Sequence, residues 1–150
     1  MEISKESFGI TKSGQLITSY TIKNSNNIEV KIINYGATIT SILTPDKNNA
    51  LDDIVLGFDS LKEYQSDKNP YFGATCGRYA NRIRDGKFSI ENNKFQLAKN
   101  DNGNSLHGGI KGFDKHIWDH DVIENKIVMK RLSPDGEEGF PGNLAVEIYY

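Results

Sequence analysis

The sequence is poor in the features that mark several large functional classes. Its 150 residues hold one cysteine, Cys76, so no internal disulfide can form and no zinc signature can be assembled from thiolates. No apolar run approaches the roughly twenty residues that cross a bilayer, so no membrane association is expected. The opening MEISKESFGI has neither the basic start nor the apolar stretch of a secretory leader, which points to cytoplasmic residence. A formal charge of -2 gives no field that would gather phosphate backbones, so nucleic acid is not an expected partner. There is also no glycine-rich phosphate loop and no serine nucleophile elbow. Arginine is scarce as well: of 18 Lys plus Arg, only Arg78, Arg82, Arg84 and Arg131 are arginine. Three of the four fall in CGRYANRIR, Cys76 to Arg84. A chain that uses lysine as its general cation and concentrates guanidinium in one stretch points to a planar, multi-donor grip there. The alternative is a surface patch paired with Asp85, of little energetic weight.

What is abundant is strand-like alternation, in a length that suits one domain with a substantial core. NIEVKII places Ile28, Val30 and Ile32 on one face and Glu29 and Lys31 on the other. GATITSIL, Gly36 to Leu43, is β-branched and ends at a run of turn formers from Pro45 to Asn49. DIVLGF, Asp53 to Phe58, reads as a further strand. Ser60 and Glu63 predict a capping box on a helix kept short by Pro70. KFSIENNKFQL predicts a hairpin turning at Asn92-Asn93, with Glu91 facing Lys94, Ile90 facing Phe95 and Phe88 facing Leu97. WDHDVIENKIVMKRL predicts a second hairpin turning near Asn125, followed by a loop from Ser133 to Asn143. LAVEIYY predicts a strand with Leu144, Val146, Ile148 and Tyr150 on one face. Its apolar edge at the last residue suggests a piece of a longer protein.

Two segments carry candidate chemistry. In CGRYANRIR, strand alternation puts Arg78, Arg82 and Arg84 on one face and Asn81 on the other, so Asn81 and Arg82 converge on a ligand only if the strand breaks or bulges. In NDNGNSLHGG, Asn100 to Gly109, a loop of turn residues delivers His107 ahead of two glycines. An imidazole there can exchange a proton near neutral pH, or serve the fold alone. His116 and His120 flank Trp118 without a cysteine partner and read as solvated histidines, not metal ligands. Cys76, among small apolar residues, reads as an inert thiol.

Taken together, NYGATITSILTPD, DIVLGFDSLKEY, GRYANRI, NSLHGGIKGFDKHIWD and SPDGEEGFPGNLAVEIYY resemble, in order and spacing, successive blocks of the aldose 1-epimerases, or galactose mutarotases. The resemblance runs from about Phe8 to the last residue. It implies an all-β fold, a large antiparallel β-sandwich of the galactose mutarotase-like supersandwich type, here truncated, with residues 1–150 as the amino-terminal part of one such domain. It implies interconversion of the α and β anomers of free hexoses by acid and base ring opening, with no metal and no cofactor. The sugar-binding residues it implies are Asn81, Arg82 and His107, with His107 a supporting catalytic group. The main acid, a second histidine in an NH-x-YFNL type block, and the base, a glutamate near the carboxyl end, are expected beyond Tyr150. Arg78 and Arg84 are expected to brace the site or face solvent. The alternatives are a non-catalytic carbohydrate-binding or sensing module and an epimerase of hexose 6-phosphates, which would need more cationic groups.

Overall fold

A computed structural model describes residues 1–150. The first half of the chain is an antiparallel meander in chain order: β1 (Glu2–Ile10), β2 (Leu16–Lys23), β3 (Glu29–Ile33), β4 (Thr38–Pro45) and β5 (Leu51–Asp53). A short helix, α1 (Leu61–Tyr64), follows. Then comes an irregular stretch that holds only β6 (Arg82–Ile83), the hairpin β7 (Lys87–Ile90) and β8 (Asn93–Gln96), and β9 (Ser105–Leu106), which pairs with β6. The last part is a three-stranded antiparallel sheet of β10 (Asp119–Ile123), β11 (Lys126–Ser133) and β12 (Leu144–Tyr149), with β12 at its edge. No helix is long and apolar enough to cross a membrane.

The two larger sheets face each other, as alternation requires of half-buried strands. Tyr20, Ile32 and Ala37 from the first layer meet Phe113, Trp118, Ile127 and Met129 from the second, and Val146, Ile148 and Tyr150 of the last segment close over them. Each large apolar side chain buried this way contributes about 1.5–3 kcal/mol. A smaller cluster, Ile17, Ile33, Tyr35, Leu61 and Tyr64, seats α1 against the first sheet. Polar groups caught between the layers find partners. The Tyr20 hydroxyl lies 2.7 Å from His120 Nδ1, Tyr150 donates to the Ala37 carbonyl at 2.7 Å, and Trp118 Nε1 donates to the Phe113 carbonyl at 3.1 Å.

The all-β sandwich is the architecture expected, and so are β3, β4, the hairpin turning at Glu124-Asn125 and the inward face of β12. Three local expectations are corrected. DIVLGF is not a strand: Asp53 Oδ1 accepts from the amides of Ile42 and Val55, at 3.0 and 2.9 Å, and this bend ends β5. The β7–β8 hairpin turns one residue earlier than predicted, pairing Phe88 with Phe95 and Ile90 with Asn93, because Glu91 takes the left-handed conformation at φ 53°. The capping box closes between side chains, Ser60 Oγ donating to Glu63 Oε2 at 2.7 Å, without a bond to the helix backbone.

Candidate functional site

CGRYANRIR breaks where convergence on a ligand requires a break. Only Arg82 and Ile83 are strand, and Asn81 sits at φ 68° just before them. Asparagine tolerates that left-handed backbone better than most residues, because its short polar side chain bonds locally. β9 lies alongside, with Arg82 opposite Leu106, so His107 emerges next to Asn81. The two residues then hold each other. The His107 amide donates to the Asn81 carbonyl at 3.0 Å, and the Asn81 amide donates to His107 Nδ1 at 3.0 Å. A ring whose Nδ1 accepts carries its proton on Nε2 when neutral, so Nε2–H is the donor left for a ligand.

The loop that delivers His107 is templated by Asn100. Its carboxamide donates to the carbonyls of Leu106 and Gly109, at 2.9 and 2.8 Å, and accepts from the Leu106 amide at 2.7 Å. Gly108, at φ 95°, has no room for a side chain, because a Cβ there would collide with the Gly77 carbonyl. Arg82 Nε donates to Asp101 Oδ2 at 2.6 Å, while Nη1 and Nη2 make no hydrogen bond within the chain. Asp101 therefore aims a guanidinium whose outer donors stay free. Arg82 lines a cleft of about 450 Å³ together with Arg78, Tyr79, Ile83, Phe88 and Phe140, and neither Asn81 nor His107 is among its lining residues.

The other arginines divide as expected. Arg78 is a brace: it donates to Ser133 Oγ at 2.8 Å and to the carbonyls of Ser133, Pro134 and Pro141 at 2.8 to 2.9 Å, with its guanidinium 5.9 Å from the centre of the Phe140 ring. Arg84 is exposed. Arg131, with no role foreseen, forms a two-pronged pair with Glu137 at 2.7 and 3.0 Å and lies 4.6 Å from the centre of the Phe113 ring.

His116 and His120 are not the solvated histidines expected. His116 is half-buried, its Nε2 3.2 Å from the Lys111 carbonyl and 3.4 Å from Glu137 Oε1, and burial first, then the Arg131 charge, holds its pKa below the ordinary value. His120 is tied to Tyr20 on a different strand. No three His, Cys, Asp or Glu side chains gather as metal ligands do. Cys76 is partly buried, and burial pushes its thiol pKa up, away from a reactive thiolate.

Sequence reasoning missed Asn100 and Asp101 as supports, although both stand in the polar run NDNGNSLHGG. It also missed Tyr71, whose ring centre lies 4.6 Å from that of His107. Nothing near Pro70-Tyr71 in the sequence signals that contact.

Known proteins carry the same arrangement of blocks. The aldose 1-epimerase family model matches residues 18–150. Over 150 residues the chain is 44% identical to a galactose mutarotase of Sus scrofa, aligning all of itself with 44% of that protein. Over 148 residues it is 43% identical to a galactose mutarotase of Homo sapiens, 99% of the chain aligning with 43% of that protein. Among solved structures, a galactose 1-epimerase from Lactobacillus acidophilus NCFM superposes with a TM-score of 0.84 at 29% identity, over 99% of this chain and 44% of that one. A GalM/aldose epimerase homologue from C. elegans gives 0.80 at 27% identity, over 87% and 40%. The chain therefore spans less than half the length of these relatives. With a match extending from β2 through β12, the chain belongs to the aldose 1-epimerase family.

Proposed function

We propose that residues 1–150 form the amino-terminal part of an aldose 1-epimerase that interconverts the α and β anomers of free hexoses such as galactose and glucose in the cytoplasm. The observation that carries this reading is the Asn81–His107 pair, which leaves the imidazole Nε2 without a partner in the chain, one residue along the β6–β9 pairing from Arg82, whose Nη donors are free. In the proposed reaction a base removes the C1 hydroxyl proton while an acid protonates the ring oxygen. The ring opens, C1 rotates, and closure with the roles exchanged gives the other anomer. The main acid and base are assigned to segments after Tyr150. This chain's residues bind and polarise: Arg82 donates to vicinal hydroxyls, Asn81 offers its carboxamide, and His107 supports the ring oxygen as negative charge develops on it. None of these proton transfers calls for a metal or a cofactor.

Charge-assisted hydrogen bonds contribute about 1.5–3 kcal/mol each. In a full-length parent, Arg82→Ala is therefore expected to lower kcat/KM by about 10–10²-fold, read by polarimetry of freshly dissolved α-glucose. Unchanged kcat and KM would remove Arg82 from the site. A second reading, a carbohydrate-binding or sensing module, uses the same binding groups, Asn81, Arg82 and His107. Titration calorimetry with galactose beside polarimetry separates the two, since a full-length protein that binds without accelerating mutarotation is a module.

A further inference from the structure

Tyr71 stands in the left-handed region at φ 64°. For a bulky side chain that backbone costs about 1–2 kcal/mol, and it persists only where the surroundings over-determine it. They do so here. The Phe72 amide donates to Asn69 Oδ1 at 3.2 Å, the Ala74 amide donates to the Tyr71 carbonyl at 3.2 Å, and the Ile39 amide donates to the Gly73 carbonyl at 3.0 Å, pinning the turn to β4. The turn presents one aromatic ring to His107. Their ring centres are 4.6 Å apart at an interplanar angle of 56°. The Lys115 ammonium stands 5.4 Å from the centre of the same Tyr71 ring. That ammonium is anchored in turn by the Ile110 carbonyl at 3.0 Å and by Asp114 Oδ2 at 3.6 Å. Asp114 is buried, and its Oδ1 has no hydrogen-bond partner, so Lys115 is the counter-charge that holds this carboxylate.

Asp114, Lys115, Tyr71 and His107 thus form a line of contacts ending at the imidazole assigned to the sugar. Asn81 fixes one nitrogen of that imidazole but does not by itself stop the ring plane from tilting about the hydrogen bond. A second ring in tilted contact with it, as Tyr71 is, does. We infer that Tyr71 is a positioning residue for His107, holding the imidazole plane so that Nδ1 keeps the Asn81 amide and Nε2–H stays free for a ligand. This rests on the proposed epimerase reading for its catalytic consequence, but not for the positioning itself. Burial, then the Asp114 charge, pushes the Tyr71 phenol pKa up, so Tyr71 acts as a neutral ring. The ring alone is sufficient, and Tyr71→Phe is expected to behave as the wild type.

The test has two readouts. In the full-length parent without any sugar, the side-chain nitrogen resonances of His107 report its tautomer. Tyr71→Asn removes the ring while keeping a residue that accepts positive φ, and Tyr71→Leu keeps the apolar bulk. In both variants the two nitrogen shifts are expected to move toward each other as the ring swings and its tautomers average, whereas Tyr71→Phe keeps the separated pair. In the full-length parent the same two variants are expected to lose about 10–10²-fold in kcat/KM, with kcat carrying the loss and KM little changed. Wild-type nitrogen shifts together with kcat/KM within twofold in Tyr71→Asn or Tyr71→Leu would overturn the inference. A parent that fails to accelerate mutarotation while the nitrogen shifts respond as stated would defeat the epimerase reading and leave the positioning standing.

Discussion

His107→Asn in the full-length protein is expected to lower kcat by about 10²-fold or more, within the range by which a positioned acid or base accelerates proton transfer. KM is expected to stay within a few-fold, because the hydroxyl-binding roles proposed for Arg82 and Asn81 do not depend on the imidazole. Asparagine suits the test for two physical reasons. It accepts the backbone at φ 50° that His107 occupies, and its carboxamide oxygen can take the Asn81 amide hydrogen bond that Nδ1 accepts in the wild type. The loop and the β6–β9 pairing are therefore retained, and loss of turnover reports loss of the Nε2–H donor alone. His107→Gln gives a second measure: its longer amide reaches toward the Nε2 position and recovers part of the donor without the imidazole's proton exchange, so its kcat should fall, but by less. Circular dichroism matching the wild type would accompany both losses. Turnover within threefold of wild type in His107→Asn would place His107 outside the reaction and make Asn81–His107 a purely structural clasp.

The strands that were legible in the sequence are those whose burial pattern is local. β3 and β12 each place one face on the shared core, so alternation locates them, while the β10–β11 hairpin is marked by its turn residues near Asn125. The β5 region was misread because hydrophobicity suggested continuation, whereas the Asp53 side chain captures two amides and turns the chain away. Ile54 and Leu56 are left 66% and 73% exposed, and no alternation can be read from them. The β7–β8 register was missed for a similar reason: Asn-Asn is the better turn pair by composition, yet Glu91 takes the positive φ and Phe88 stacks on Phe95 with ring centres 5.2 Å apart. At the candidate site, Asn81, Arg82 and His107 stand out in the sequence because each block is contiguous. Their supports were not. Tyr71 reaches His107, and Arg78 reaches the carbonyls of Ser133, Pro134 and Pro141, only after the layers have folded together, and backbone carbonyls leave no trace in the sequence. The concentration of arginine thus has two physical causes. Arg82 offers free donors toward solvent, and Arg78 uses the same planar fork inward to tie the segment ahead of β6 to the loop before β12.

The second large effect is expected in stability. Arg131 is 7% exposed and Glu137 is 16% exposed, and their two parallel hydrogen bonds lie beside Phe113 and Trp118 with Ser133 donating to the same carboxylate. Breaking a buried pair by removing one partner leaves a charge without compensation, which costs about 3–5 kcal/mol. The residual exposure of Glu137 admits some water, so Glu137→Ala is expected near the low end, about 3 kcal/mol by urea unfolding. Arg131→Met with Glu137→Leu is expected to regain most of that, since an apolar pair leaves no stranded guanidinium. pH supplies a separate reading. Burial raises the Glu137 pKa, but hydrogen bonds from Arg131 and Ser133 and the Arg131 charge outweigh it and hold the carboxyl below its ordinary 4.5. A carboxyl depressed by folding stabilises the chain above 4.5, and this stabilisation is lost as pH falls through the folded value. His116 shifts the same way in sign. Burial and Arg131 keep its pKa below 6.5, so the unfolded chain takes up a proton first as pH falls below 6.5, and stability begins to drop there. The melting temperature is therefore expected to decline in two stages on acidification, one beginning below 6.5 and one below 4.5. Glu137→Gln should shrink the lower stage and His116→Asn the upper one, without abolishing either, because Asp53 and Glu147 are also held below their ordinary values and His120 shares the depression of His116. A wild-type melting temperature flat from pH 7 to pH 4, or a Glu137→Ala loss under about 1 kcal/mol, would mean that water already solvates the pair.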